Sequence, residues 1–154
     1  MTIAEIAALP VNEIALHDSA LFLWATAPHL VSAGEVLAAW GFRYSTVAFT
    51  WVKLNDDGSP FLGMGYTTRS NAEFCLLGWR GKGLPVQAHD VKSLVLGRRM
   101  EHSRKPDLYG PIERLFGASQ PRIELFARRR VAGWDAWGLE TPDVQQDRLA
   151  LEVS

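Results

Sequence analysis

Apolar and polar positions follow two different spacings along the chain, and each spacing predicts a kind of element. A capping box of Thr2 and Glu5, followed by apolar residues at helical spacing, predicts a first helix that ends at Pro10. A continuous apolar run at 20–25 predicts a buried strand. Pro28 then predicts the first turn of a second helix.

The pattern beyond Pro28 predicts an alternation of helices and strands. The apolar face of the second helix is expected to consist of Val31, Val36, Leu37 and Trp40, with Gly41 as the residue that ends it. Strands are predicted at 44–52, 72–79, 91–96 and 122–126. A helix is predicted at 106–116, with Pro106 at its first position and either a late start or a kink at Pro111. A C-terminal helix is predicted at 143–153. This order predicts an α/β fold with a largely parallel sheet in one domain.

Composition narrows the class of protein. The chain has 154 residues, no apolar run of membrane-spanning length and no signal-peptide pattern, which predicts a cytoplasmic protein that is not associated with a membrane. A single cysteine, Cys75, excludes an internal disulfide and a multi-cysteine zinc site, and its apolar strand predicts a buried core residue. The four histidines lack metal-ligand spacing, so no metal site is expected.

The net charge of −1 hides a basic middle section. Residues 98–130 hold nine Lys and Arg against four Asp and Glu, whereas residues 131–154 hold one against five. Such a section indicates an anionic partner such as nucleic acid, and the alternative is an ordinary solvated basic face.

Three segments within or just after this section are candidates for chemistry. The basic cluster at 101–107 precedes a predicted helix and is typical of either an anion site or ordinary helix entry. The strand at 122–130 ends in a carboxylate and several guanidiniums, which suits a ribose-binding strand end or an exposed edge. Trp134 and Trp137 suit core packing or stacking on a base.

In this order, these segments and others resemble a known family. The matching segments are Thr2-Ile-Ala-Glu-Ile-Ala-Ala-Leu-Pro10, Leu21-Phe-Leu-Trp-Ala-Thr26, Trp40-Gly-Phe-Arg43, Trp51-Val-Lys53, Asn71-Ala-Glu73, Arg80-Gly-Lys82, His102-Ser-Arg-Lys-Pro-Asp107, Ile112-Glu-Arg-Leu115, Glu124-Leu-Phe-Ala-Arg128 and Trp134 to Gly138. They resemble the adenine-N6 methyltransferase family typified by the catalytic subunit of the messenger-RNA N6-methyladenosine writer, the MT-A70 family. The resemblance is closer to its bacterial and phage members, to which activity on DNA adenine is attributed.

The resemblance implies a Rossmann-like methyltransferase fold with a mixed, largely parallel sheet, and S-adenosylmethionine as the cofactor. It implies that Lys105 lies near the methionine carboxylate and that Glu124 and Arg128 lie against the ribose. The family continues after the glycine with Asn and then Glu or Gln, whereas this chain has Leu139 and Glu140. Of that pair only Glu140 carries over as a cofactor residue, because leucine has no side-chain hydrogen bond.

The resemblance also suggests which residues contact the nucleic acid, which is expected to be DNA. Trp51 and Lys53 lie on the substrate side in relatives, and the basic section adds Arg98, Arg99 and Arg104. Some branches of the family act with a partner methyltransferase subunit, which is therefore one expectation for this chain.

No catalytic residue is identifiable, since the family's Asp-Pro-Pro-Trp loop does not occur in the sequence. Relatives carry that loop shortly before the segment that matches the start of this chain. The expected organisation is a methyltransferase domain at 1–140 that lacks this N-terminal segment, followed by a helical tail at 141–154. Three interpretations stay open: a methyltransferase, a catalytically inactive nucleic-acid-binding or scaffold subunit, and a misassigned start codon.

Overall fold

A computed structural model of the chain describes residues 1–65, 67–98 and 105–141. Its elements, in chain order, are α1 (Ile3–Ala7), α2 (Val11–Ile14), β1 (Ser19–Thr26), a 3-10 turn (Ala27–His29), α3 (Leu30–Ala39), β2 (Arg43–Leu54), β3 (Ala72–Arg80), β4 (Leu94–Arg98), α4 (Tyr109–Phe116), β5 (Ile123–Leu125) and β6 (Asp135–Trp137). The predicted helix at 143–153, and all of the predicted tail at 141–154 except Thr141, lie outside the described residues.

The strands form two sheets. The larger has the order β1-β3-β2-β4, and the smaller pairs β5 with β6. β3 is antiparallel to both of its neighbours, with Thr26 and Trp51 on opposite sides of Glu73. β2 is parallel to β4, and β5 is parallel to β6. The α/β class is confirmed, with a mixed sheet.

The prediction of a largely parallel sheet is wrong for the larger sheet. A parallel pair needs a crossover connection, usually a helix, whereas β2 and β3 are joined by residues 55–71, which contain no helix in their described part. β3 therefore returns antiparallel beside β2. β1 and β2 are parallel to each other and are connected through α3, but β3 lies between them.

Helices α1 to α3 cover one face of the larger sheet. Val36, Leu37 and Trp40 are at most 3% exposed and pack with Leu76 of β3. Gly41 follows with a φ of +81°, which confirms it as the residue that ends the helix. Val31, predicted on this face, is 79% exposed; Leu30 and Ala33 occupy the face instead.

Helix α4 covers the opposite face. Leu108, Ile112 and Leu115 pack with Phe49 and Cys75 of the sheet. The cysteine is fully buried, as predicted, and burial raises the pKa of its thiol to about 12. The helix begins at Tyr109 rather than at Pro106, so Pro111 falls in the first turn, where its missing N–H costs nothing. The late start of the helix is thus confirmed, and the prediction that Pro106 is its first residue is wrong.

After α4 the chain forms the small sheet of β5 and β6. The strand predicted at 122–126 is shorter than expected, and β6 includes Trp137, which was predicted only as a packing or stacking residue. Within the described ranges, no helix combines the length and the apolar character that crossing a membrane requires.

Candidate functional site

A buried carboxylate lies between two lysines where β2 and β3 meet the segment before α4. Glu73 is 4% exposed, and its Oε1 is 2.5 Å from Nζ of Lys53. Its Oε2 accepts a hydrogen bond from Nζ of Lys105. Since side chains two residues apart share a face of a strand, the pairing of Trp51 with Glu73 brings Lys53 to the same place. The carboxylate of Glu73 therefore contacts two ammonium groups.

Two tryptophans enclose this cluster. The ammonium of Lys105 lies 5.8 Å from the ring centroid of Trp24 and 5.9 Å from that of Trp51. Lys53 lies 5.2 Å from the Trp51 ring. Trp51 is fully buried, and its indole N–H donates to the carbonyl of Gly97 at 3.1 Å. These ring faces stabilise ammonium groups that have lost part of their water.

The protonation of Lys105 is poised near neutral pH. Burial lowers the pKa of its ammonium to about 8, and the neighbouring charges of Lys53 and Arg128 act in the same direction. Lys105 is therefore mostly charged at pH 7 and about half deprotonated near pH 8.

A second carboxylate lies in the middle of β5. The hydroxyl of Tyr109, the first residue of α4, donates to Oε2 of Glu124 at 2.5 Å. Burial, together with this hydrogen bond and the charge of Glu124, raises the pKa of Tyr109 to about 12. The hydroxyl thus stays protonated and acts as a donor.

The ring of Tyr109 is held from several sides. Trp134 contacts it edge-on with ring centroids 5.0 Å apart, and the guanidinium of Arg129 lies 5.7 Å from its centroid. Asp107 accepts from the backbone N–H of Tyr109 at 3.0 Å and pairs with Arg129 at 3.2 Å. The start of α4 and the end of β5 are joined by this group.

A further ion pair fixes β5 and β6 to α4. Arg122 lies 3.1 Å from Glu113 and donates to the carbonyl of Gly133 at 3.0 Å. The same carboxylate accepts from the indole N–H of Trp134 at 2.9 Å. The Arg122 side chain is 12% exposed, so its charge depends on these partners.

The chain after β5 takes an unusual course. Phe126 has a φ of +60°, the one positive value at a non-glycine position among the described residues, and its side chain is 43% exposed. A Cβ on Gly138 would lie 2.2 Å from the carbonyl oxygen of Ala127, so only glycine fits beside this turn. Such backbone strain is found preferentially at functional sites. The turn leaves the ring of Phe126 partly open to solvent at the end of β5.

Several of these side chains, among them Trp24, Tyr109 and Trp134, line one cleft of about 900 Å³ between β1 and the α4–β5 region. Among the described residues, β1 has a hydrogen-bonded strand on one side only, which is β3. Lys105, Glu124 and Arg128, three of the four predicted cofactor residues, line the cleft. The fourth, Glu140, lies 3.7 Å from Arg128, outside the lining.

The residues predicted to contact nucleic acid are dispersed. Lys53 is joined to Lys105 through Glu73, whereas the buried ring of Trp51 has no surface for a base in this conformation. Arg98 ends β4 and pairs with Asp56 at 3.5 Å on the exposed surface. Arg99 and Arg104 lie outside the described residues.

Three residues of the site carried no predicted role. Glu73 is an acidic residue at the start of an otherwise apolar strand, which is a recognisable signal for a buried partner. Trp24 was visible only as part of an apolar run. Tyr109 was hidden because the helix was expected to begin earlier. Within the described ranges, no three His, Cys, Asp or Glu side chains are grouped so as to hold a metal ion.

Comparison of the sequence with known proteins identifies the family of this chain. The MT-A70 family model matches residues 1–140. The chain is 38% identical over 145 residues to the type II methyltransferase M.MunI of Mycoplasma sp, which covers 93% of this chain and 59% of the relative. It is 30% identical to the N6-methyladenosine RNA methyltransferase MTA1 of Cryphonectria parasitica, over 94% of this chain and 44% of that protein.

A third relative is a probable N(6)-adenosine-methyltransferase MT-A70-like protein of Oryza sativa subsp. japonica, 32% identical over 79% of this chain and 17% of its own length. The chain thus spans between about a sixth and three fifths of the length of these three relatives. The family model covers most of the chain, and we conclude that the chain belongs to the MT-A70 family.

Proposed function

We propose that this chain forms the cofactor-binding part of an S-adenosylmethionine-dependent methyltransferase that acts on adenine N6 in nucleic acid, and on DNA in preference to RNA. Residues 1–140 would form a Rossmann-like methyltransferase domain and residues 141–154 a tail. The observation that carries the proposal is the convergence of Lys105, Glu124 and Arg128 on one cleft.

The cleft suits the chemical groups of this cofactor. S-adenosylmethionine has a carboxylate at one end and a ribose with two hydroxyls near the other. The cleft offers the ammonium of Lys105 at one place and the carboxylate of Glu124 at another. Its volume of about 900 Å³ lies within the range of roughly 300–1,000 Å³ typical of small-molecule sites.

Charge supports a role for Lys105 in binding the cofactor carboxylate. Lys53 and Lys105 both contact the carboxylate of Glu73, and the charges of Lys53 and Arg128 lower the pKa of Lys105. A bound carboxylate would form a charge-assisted hydrogen bond with the ammonium of Lys105.

Glu124 suits the ribose end for a complementary reason. A carboxylate has two oxygens with about four acceptor sites, so it can accept from Tyr109 and from a ligand hydroxyl at the same time. Arg128 and Glu140 extend the polar surface beyond the strand end. The exposed ring of Phe126 supplies an apolar surface beside them.

When bound, the cofactor supplies a sulfonium methyl group for transfer to a nucleophilic nitrogen. The residues of this chain bind and orient it, and no residue is assigned to hold the adenine amino group, because the sequence contains no Asp-Pro-Pro-Trp. Lys53 is the described residue that connects the cofactor side to the proposed nucleic-acid side. The higher identity to a type II methyltransferase than to the RNA methyltransferase supports DNA as the substrate.

Calorimetric titration with S-adenosylmethionine tests the proposal. We expect Lys105→Ala and Glu124→Ala to weaken binding by about 10-fold or more, because each removes a charged hydrogen-bonding group. The matched controls are Lys92→Ala and Glu35→Ala, which remove the same charges at exposed positions. Equal heats for the wild type and for all four variants would contradict the assigned roles.

Leu139, at a position where the family has asparagine, favours a second candidate, a catalytically inactive nucleic-acid-binding or scaffold subunit. This candidate predicts salt-dependent DNA binding that weakens on charge reversal at Arg98, Arg99 or Arg104, without methyl transfer. Transfer of a labelled methyl group to adenine-containing DNA by the purified chain would exclude it. A partner methyltransferase subunit is compatible with either candidate.

A further inference from the structure

We propose that Tyr109 is a positioning residue, which orients the carboxylate of Glu124 toward a ribose hydroxyl of the cofactor. The inference rests on the proposed function, because it takes Glu124 as the ribose contact. It extends that function by a residue that neither the sequence pattern nor the comparisons assign.

The contact itself is short and directional. The hydroxyl of Tyr109 lies 2.5 Å from Oε2 of Glu124, a distance typical of a strong hydrogen bond to a carboxylate. Both side chains are half-buried and line the same cleft. By occupying one carboxylate oxygen, the hydroxyl fixes the plane of the carboxylate and directs the other oxygen to a second donor.

The tyrosine is itself held in place, as a positioning residue must be. Trp134 packs against its ring edge-on, Arg129 lies over it, and Asp107 accepts from its backbone N–H. The contacts of Trp134 and Asp107 do not involve the hydroxyl of Tyr109, whereas Arg129 also forms a hydrogen bond with it. Replacing tyrosine with phenylalanine therefore removes the hydrogen bonds of the hydroxyl to Glu124 and Arg129 and leaves the ring packed on Trp134.

The direction of the hydrogen bond does not change near neutral pH. With a pKa of about 12, the hydroxyl of Tyr109 keeps its proton and remains a donor. A carboxylate held by a permanent donor is preorganised for a ligand hydroxyl, so less conformational entropy is lost when the ligand binds.

The test compares two ligands that differ only in the ribose hydroxyls. S-adenosylhomocysteine and its 2′,3′-dideoxy counterpart are titrated calorimetrically into the full chain and into Tyr109→Phe. We expect this variant to bind S-adenosylhomocysteine about 3- to 10-fold more weakly, as for one lost hydrogen bond. Its affinity for the dideoxy ligand should equal that of the wild type, since that ligand has no hydroxyl for Glu124.

The controls separate positioning from packing. Tyr44→Phe removes a hydroxyl at an exposed position of β2 and should change neither affinity. In a Glu124→Gln background, Tyr109→Phe should have a much smaller effect on the preference for the hydroxylated ligand, because the two residues act through one contact.

The possible outcomes are distinct. If the wild type prefers the hydroxylated ligand and Tyr109→Phe weakens both ligands equally, or weakens neither, the positioning role is wrong while the proposed function stands. If the wild type binds S-adenosylhomocysteine but does not discriminate between the ligands, the ribose role of Glu124 fails, and the inference with it. If the wild type binds neither ligand, the proposed function itself is contradicted.

Discussion

The two sheets of this molecule are held together by different forces. The larger sheet packs apolar side chains on both faces, with Leu37, Trp51 and Cys75 all fully buried. The smaller sheet, β5–β6, has three-residue strands and is joined to α4 by side-chain hydrogen bonds and ion pairs, such as those from Glu113 and Glu124. Burial dominates the first region and polar contacts dominate the second.

This difference shows where a ligand can influence the protein. Apolar burial contributes about 25 cal/mol per Å² and does not depend on a ligand in the cleft. Polar contacts in a half-exposed region contribute about 1 kcal/mol each and can be strengthened or replaced by ligand groups. Of the cleft residues, Glu124 and Arg128 belong to the second region or adjoin it, whereas Lys105 contacts Glu73 of the larger sheet. We therefore expect the larger sheet to set stability and the smaller one to respond to the cofactor.

The largest expected effect is on stability. Leu37→Ala should lower the free energy of unfolding by about 2–5 kcal/mol, because the side chain is fully buried beneath α3. Val31→Ala on the same helix, at 79% exposure, should change it by less than about 0.5 kcal/mol. Denaturant unfolding measures both. Similar losses of stability in the two variants would contradict the claim that burial in the larger sheet sets stability. A changed cofactor affinity in Leu37→Ala, measured where this variant is folded, would contradict the claim that the two regions act separately.

A smaller loss of stability is expected in the second region. Glu113→Gln keeps an acceptor for Trp134 but removes the charge that faces Arg122, and should cost about 1–3 kcal/mol. Unlike Leu37→Ala, it should also weaken binding of S-adenosylhomocysteine, because β5 carries Glu124. Unfolding and calorimetry report the two effects, with Glu35→Gln on the exposed side of α3 as control. Unchanged affinity in Glu113→Gln would show that the polar contacts do not support the cleft.

The smallest effect concerns pH. The ammonium of Lys105 has a pKa of about 8, so it is charged below that value and neutral above it. A negatively charged carboxylate binds the charged form, and affinity for S-adenosylhomocysteine should therefore fall several-fold between pH 7 and pH 9. Arginine stays charged over this range, so Lys105→Arg should lose this part of the pH dependence. Identical pH profiles in calorimetry would contradict the role of Lys105.

Local signals in the sequence were sufficient for much of the fold. Gly41 marks the end of α3 because its positive φ suits glycine, and the apolar run at 20–25 becomes β1 because both faces of the sheet are covered. Val31 and Pro106 were misjudged because spacing alone does not decide which residues face the sheet or where the first turn forms. The direction of β3 depends on a long connection with no helix in its described part, which a search for strands does not reveal.

The site was predictable only in part, and for a physical reason. The resemblance indicated Lys105, Glu124 and Arg128, and the fold brings these three to one cleft. The partners that set their properties, Glu73 and Tyr109, come from pairings 32 and 15 residues apart. Such pairings are fixed by tertiary packing. Trp51 illustrates the same limit, because its burial against Gly97 follows from the pairing of β2 with β4.

Backbone hydrogen exchange with and without S-adenosylhomocysteine tests the central claim most directly, namely that the cofactor binds beside the polar β5–β6 region. We expect the ligand to slow exchange of amides in α4, β5 and β6, and to leave those of α3, on the opposite face of the larger sheet, nearly unchanged. Slowing spread evenly over both regions, slowing confined to the larger sheet, or no slowing at saturating ligand would contradict it.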